Sequence, residues 1–104
     1  MKRTRNMVYK ETQESRELFL YAVNSGELYQ MMIESVIKSL RKKAIKGTYE
    51  NEKAVDVYYR VACKASEMYK KDFGYSFSVQ DRFTVAVEME SYYREDNVFY
   101  ELEA

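Results

Sequence analysis

Three glycines and no proline in 104 residues leave this chain few places to turn. Glycine and proline are the strongest local breakers of regular structure. The blocks between Gly26, Gly47 and Gly74 are therefore free to run as long, uninterrupted elements. Each glycine separates two segments with apolar patterns of their own, so the chain divides into four blocks. At this length a single domain over 1–104 with one core is expected.

Three blocks carry helical patterns, predicted at about 33–46, 50–72 and 79–95. In the first of these, Ile33, Val36, Ile37, Leu40 and Ala44 recur at helical spacing, and Gly47 stands where a left-handed C-terminal cap belongs. In the second, Ala54, Tyr58, Val61, Ala62, Ala65 and Tyr69 make one stripe, whose alanines allow a neighbouring helix to approach closely. Thr48 is its expected cap, and Lys53, Asp56, Arg60, Lys64, Glu67 and Lys71 its solvated face. The third opens on Ser78-Val79-Gln80-Asp81, a capping-box pattern. Asp81, Thr84, Glu88, Ser91 and Glu95 share a polar stripe, which turns Val79, Phe83, Ala86 and Tyr93 inward. Glu90 also points inward by that register. A buried carboxylate can become a working acid, although pairing with a base or a tyrosine hydroxyl is the plainer account.

The first block is ambiguous. Leu18, Phe19, Tyr21 and Ala22 suit a helix capped by Thr12. Yet Leu18 to Val23 also suits a strand, with Asn24-Ser25-Gly26 as its turn into Glu27-Leu28-Tyr29, and Met7-Val8-Tyr9 is a further short strand candidate. The expected fold is mainly α, a three-helix core with an N-terminal β-hairpin. The alternative is an all-α four-helix bundle.

The composition excludes much chemistry. Histidine is absent, which removes the commonest general base and any Cys/His zinc site. No two glycines lie close enough for a phosphate loop. Asp72-Phe73-Gly74 matches a protein-kinase triplet, but every other kinase motif is missing. Catalysis, a metal and a cofactor are therefore not expected. With the single cysteine Cys63, no internal disulfide can form. The longest apolar run, Leu18 to Val23, is far too short to span a bilayer, and the basic start Met1-Lys2-Arg3-Thr4-Arg5 leads into no signal-peptide core. A cytoplasmic location without membrane contact is expected.

Binding is the remaining class. Eleven tyrosines and five phenylalanines are the compositional extreme, and tyrosine offers rigid, amphipathic contact area. Tyr49, Tyr59, Tyr92 and Tyr100 have no place in the apolar stripes. Phe73, Tyr75 and Phe77 alternate along a loop around Gly74. These seven are the candidate protein-contacting residues. Charge sums to zero but is uneven, since from Asp81 onward seven acids face two bases. Lys38, Arg41, Lys42, Lys43 and Lys46 form a basic cluster, which either complements a helix C-terminus or contacts phosphate.

Lys46-Gly47-Thr48-Tyr49 with Lys53-Ala54, then Lys71-Asp72-Phe73-Gly74, together with 11–17 and Asn24-Ser25-Gly26, resembles a group of small uncharacterised proteins of gut bacteria and of their phages and mobile elements. The resemblance covers most of the chain, but its motifs are caps and turns, and it carries over no functional residue. It implies an accessory binding protein that blocks or redirects host machinery, as anti-CRISPR proteins do. The expected function is thus non-catalytic inhibition or modulation of a host protein or ribonucleoprotein. The alternative is a nucleic-acid-binding regulator using the cluster at 38–46, and a homodimer stays open.

Overall fold

The computed structural model describes residues 8–94, and over them the chain is mainly helical, with four helices and no strand. The predicted basic start, Glu95, Tyr100 and the apolar stretch Val98 to Leu102 lie outside the described residues.

Helix α1, Gln13–Asn24, occupies the block read as a hairpin strand. The decision is local. The Thr12 hydroxyl accepts from the Ser15 amide at 2.9 Å, and the Ser15 hydroxyl accepts from the Thr12 amide at 2.9 Å. This reciprocal box satisfies two N–H groups that a helix start otherwise leaves bare. Leu18 and Ala22, one turn apart, are then fully buried.

Asn24-Ser25-Gly26 is a junction between helices, not a hairpin turn. Ser25 closes α1 through its amide to the Ala22 carbonyl, and its hydroxyl accepts from the Leu28 amide at 3.1 Å to start the next helix. Helix α2 spans 26–46 and contains a π turn, Tyr29–Ile33, closed by the Glu34 amide on the Tyr29 carbonyl. In a regular helix Leu28 and Ile33, five residues apart, would diverge by about 140°. The wider turn absorbs one residue and lets both be fully buried. Ile37 and Leu40 continue the buried face, as the apolar spacing predicted.

Gly47 ends α2 at φ 77°. Its amide reaches the Ala44 carbonyl, and the Thr48 amide reaches that of Lys43 at 2.8 Å, which is a Schellman closure. The Thr48 hydroxyl also turns back to Lys43, so Thr48 finishes α2 and does not cap the following helix as expected. That helix, α3, is Asn51–Phe73; Glu50 stands at its N-cap without a side-chain bond. Gly74 ends it at φ 78°, with its amide on the Lys70 carbonyl.

Helix α4, Val79–Tyr93, starts on the Ser78 hydroxyl, which accepts from the Asp81 amide at 3.0 Å. It packs most closely on α3, where Ala54, Ala62 and Ala65 are fully buried. Helix α1 covers both, whereas the 34–46 part of α2 meets α3 only along its edge.

The predicted outer stripe of α4 is largely covered, because segment 8–12 lies across it as a strap. Thr84, fully buried, accepts from the Lys10 amide at 3.1 Å and donates to the Lys10 carbonyl at 3.0 Å. Thr12 donates to Asp81 at 2.8 Å, Gln80 donates to the Val8 carbonyl, and the Tyr9 phenol donates to Glu88 at 2.7 Å. Val79, expected inside, is 47% exposed, while Phe83, Ala86 and Tyr93 are buried as expected.

Candidate functional site

An exposed aromatic cluster sits where α3 turns into α4. Tyr69 and Phe73 are one turn apart on α3, their rings 4.7 Å apart, and Tyr21 of α1 packs edge-on against both at 5.1 and 6.4 Å. Past Gly74, Phe77 folds under Tyr69 at 4.9 Å and carries Tyr75 at 4.8 Å. Burial divides the five rings by role. Phe77 is 5% exposed and anchors the corner, whereas Phe73 at 66% and Tyr75 at 46% face outward. Left-handed Gly74 makes the reversal possible that brings both sides of the loop onto one corner.

The phenols behind the outward rings are fixed by carboxylates. Tyr69 donates to Glu17, and Tyr21 donates to Asp72 at 3.1 Å. The bond to Glu17 is the main reason the Tyr69 phenol titrates above its ordinary range. For Tyr21 burial leads and the bond to Asp72 follows, both in the upward direction. Next to Asp72, a surface cleft of about 450 Å³ runs between α2 and α3 past Met31 and Met68.

The seven predicted contact residues do not form one surface. Phe73, Tyr75 and Phe77 belong to this corner. Tyr92, 45% exposed, packs on Phe19 at 5.7 Å, and Phe19 and Tyr21 point to opposite sides of α1. Tyr59 is half-buried beside Cys63 and Arg82; burial raises its phenol most, Cys63 adds to that, and Arg82 opposes it. Tyr49 donates to Glu90 at 2.5 Å and is raised by burial first and by that bond second. Tyr100 is beyond the described residues. Tyr21, which completes the corner, was not among the seven, because the block holding it did not read clearly as a helix.

Glu90 is buried as its register predicted, 2% exposed, and holds both partners the plainer account named: the Tyr49 phenol and the Arg94 guanidinium at 2.9 Å. Beside it the Tyr58 ring, 1% exposed, stacks on Tyr93 at 5.8 Å, and the Tyr58 hydroxyl has no hydrogen-bond partner among the described residues. Among the described residues no three His, Cys, Asp or Glu side chains gather as a metal-ligand group.

The basic cluster follows the C-terminal half of α2. Lys38 pairs with Glu34 at 3.7 Å, and Arg41 is half-buried. Lys42, Lys43 and Lys46 are exposed, with Ile45 between them at 64%. Lys43 also borders a cleft of about 400 Å³ shared with Lys53 and Arg60 of α3, where Glu50 and Asp56 offset the charge. No helix among the described residues is long and apolar enough to cross a membrane.

Compared with protein-family models, curated proteins and solved structures, the chain matches none of them.

Proposed function

We propose that this chain is a non-catalytic binding protein that docks a partner protein through the aromatic corner at the α3–α4 turn and thereby inhibits or modulates it. The observation that carries the reading is the outward placement of Phe73 and Tyr75 on a rigid ring cluster. Large aromatics that are fixed in place and exposed dominate protein-interface energetics, and rings already ordered lose little further entropy on docking. The resemblance to proteins of phages and mobile elements supplies a cellular context: a host protein or ribonucleoprotein as target, in the cytoplasm, in the manner of anti-CRISPR proteins.

The test is affinity capture from a gut-bacterial host lysate with three baits: wild type, the pair Phe73→Ser with Tyr75→Ser, and the triple Lys42→Ser, Lys43→Ser, Lys46→Ser. A stoichiometric protein held by wild type and by the lysine variant, and lost by the aromatic variant, supports the reading. Equal capture by all three baits contradicts it.

The alternative is a nucleic-acid-binding regulator. It is favoured by Lys42, Lys43 and Lys46, which make no ion pair among the described residues. It predicts binding that falls steeply with salt, with a slope that becomes shallower for each lysine removed. No binding at low salt eliminates it.

A further inference from the structure

We infer that the aromatic corner takes a cationic group, an arginine or lysine side chain of the partner, stacked on the outward faces of Phe73 and Tyr75. The inference rests on the reading that this corner docks a protein, and it specifies the chemistry of what arrives.

Phe73 is two-thirds exposed although it belongs to a cluster of five rings, so most of its side chain stays open to a partner. An aromatic face is the negative end of a quadrupole, and a cation placed over it within about 6 Å is attracted. What surrounds the rings has the same sign preference. Glu17 and Asp72 are exposed and touch the corner through the phenols of Tyr69 and Tyr21. Glu27 is close enough to act electrostatically on Tyr21. Glu17 and Asp72 each spend one oxygen on a phenol and keep acceptor capacity for an incoming N–H. A guanidinium fits both demands, because its plane stacks on a ring while its edge donates to carboxylates.

Lys70 and Lys71 are the bases nearest in sequence. Both are exposed; Lys71 lines the adjoining cleft with Asp72 and Glu27 and also acts on Glu67. Three carboxylates against two lysines leave the corner net negative. An acidic partner segment would meet Glu17 and Asp72 unpaired, which costs binding through like-charge juxtaposition. A purely apolar segment could cover Phe73 but would leave the carboxylates without any role in recognition. The basic half of α2 has the opposite preference, so the two surfaces select different partners.

The experiment is a titration of the full chain, with isotope-labelled Phe and Tyr, observed by NMR. The ligands are N-acetyl-arginine methylamide and its uncharged citrulline counterpart, which has nearly the same shape. Saturable shifts of the Phe73 and Tyr75 rings with the arginine compound, much weaker with the citrulline one, are expected. Phe73→Leu keeps apolar bulk but removes the ring face, and should weaken the arginine response about two- to fivefold. Tyr75→Leu is an independent second variant, and Asp72→Asn should flatten the salt dependence.

Equal responses to the two ligands, or an unchanged arginine response in both leucine variants, overturn the inference. The two proposals fail separately. A protein partner lost by the aromatic-to-serine variant but held equally by Phe73→Leu and wild type removes the cation and keeps the docking surface. An intact arginine response with no protein partner in any lysate removes the docking reading alone.

Discussion

Thr84→Val is the most revealing single change in the fold, because it separates a buried tie from an ordinary surface hydroxyl. The Thr84 side chain is fully buried and exchanges two hydrogen bonds with the backbone of Lys10. Valine has nearly the same shape, so it opens no cavity and leaves the surrounding apolar contacts in place. What disappears is the hydroxyl that serves the Lys10 amide and carbonyl, together with a longer bond it accepts from Gln80 at 3.4 Å. Neutral hydrogen bonds contribute about 0.5–1.5 kcal/mol each, which sets an upper range of roughly 1–3 kcal/mol for the pair. The added buried methyl returns part of this, up to about 0.8 kcal/mol. The strap can also lift and hydrate its freed groups, so the net loss should be about 1–2 kcal/mol, or roughly 5–15 °C in Tm for a domain of this size.

The assay is thermal unfolding followed by circular dichroism, paired with hydrogen exchange at the Lys10 amide. Thr84→Val should lower Tm and remove protection at Lys10, whereas Thr84→Ser, which keeps the hydroxyl, should retain that protection. A stability loss below about 0.5 kcal/mol, with Lys10 equally protected in wild type and Thr84→Val, refutes the strap and the reasoning built on it.

Further outcomes follow from other features of the fold. Gly47→Ala places a Cβ at φ 77° and should cost about 1–2 kcal/mol, while Gly26→Ala, helical and with open space around the added carbon, should be neutral or stabilising by up to about 1 kcal/mol; denaturant midpoints check the opposite signs. Tyr58→Phe removes a buried hydroxyl that lacks a partner among the described residues while keeping the ring stacked on Tyr93, so it should stabilise by up to about 1 kcal/mol, and a destabilised variant would show that the hydroxyl is satisfied in solution. Stability should fall in alkali. The phenols of Tyr9, Tyr49, Tyr58 and Tyr93 are all raised, Tyr9 to about 12 chiefly by its bond to Glu88 and the other three chiefly by burial. Their contribution is full below the unfolded value near 10 and is lost as pH climbs through the raised values. Ultraviolet titration should show several tyrosines ionising only as the chain unfolds, and a single transition near 10 for every tyrosine would contradict it.

How much of this was legible in the sequence depended on the range of the interactions. The stops at Gly47 and Gly74 and the Ser78 start are local devices, each resting on a few successive residues, and all three appear where the sequence put them. The apolar rows of α2 and α3 were equally clear, because both helices bury one side and leave the other in water. Leu18 to Val23 was not clear, since six apolar residues fit either period, and the Thr12–Ser15 box that decides the matter lacks the Glu or Gln that usually marks one. The π turn at Tyr29–Ile33 left no sign, because it appears only once Leu28 and Ile33 must be buried together. Helix α4 misled for a non-local reason: its polar positions Asp81 and Thr84 look solvated until a strap some 70 residues away in sequence covers them. The candidate site divides in the same way. Phe73, Tyr75 and Phe77 group together in the sequence because they share one loop, while Tyr21 joins their cluster only through tertiary packing and the Tyr49 hydroxyl is held by Glu90.

The claim that the aromatic corner is the docking surface is tested most directly by the footprint of a purified, captured partner on the full chain, read by amide hydrogen exchange. The account predicts protection concentrated at 69–77 and on the neighbouring face of α1 around Glu17 and Tyr21, with 38–46 unchanged. Protection concentrated at 38–46, with the α3–α4 turn exchanging as freely as in the unbound chain, would contradict it.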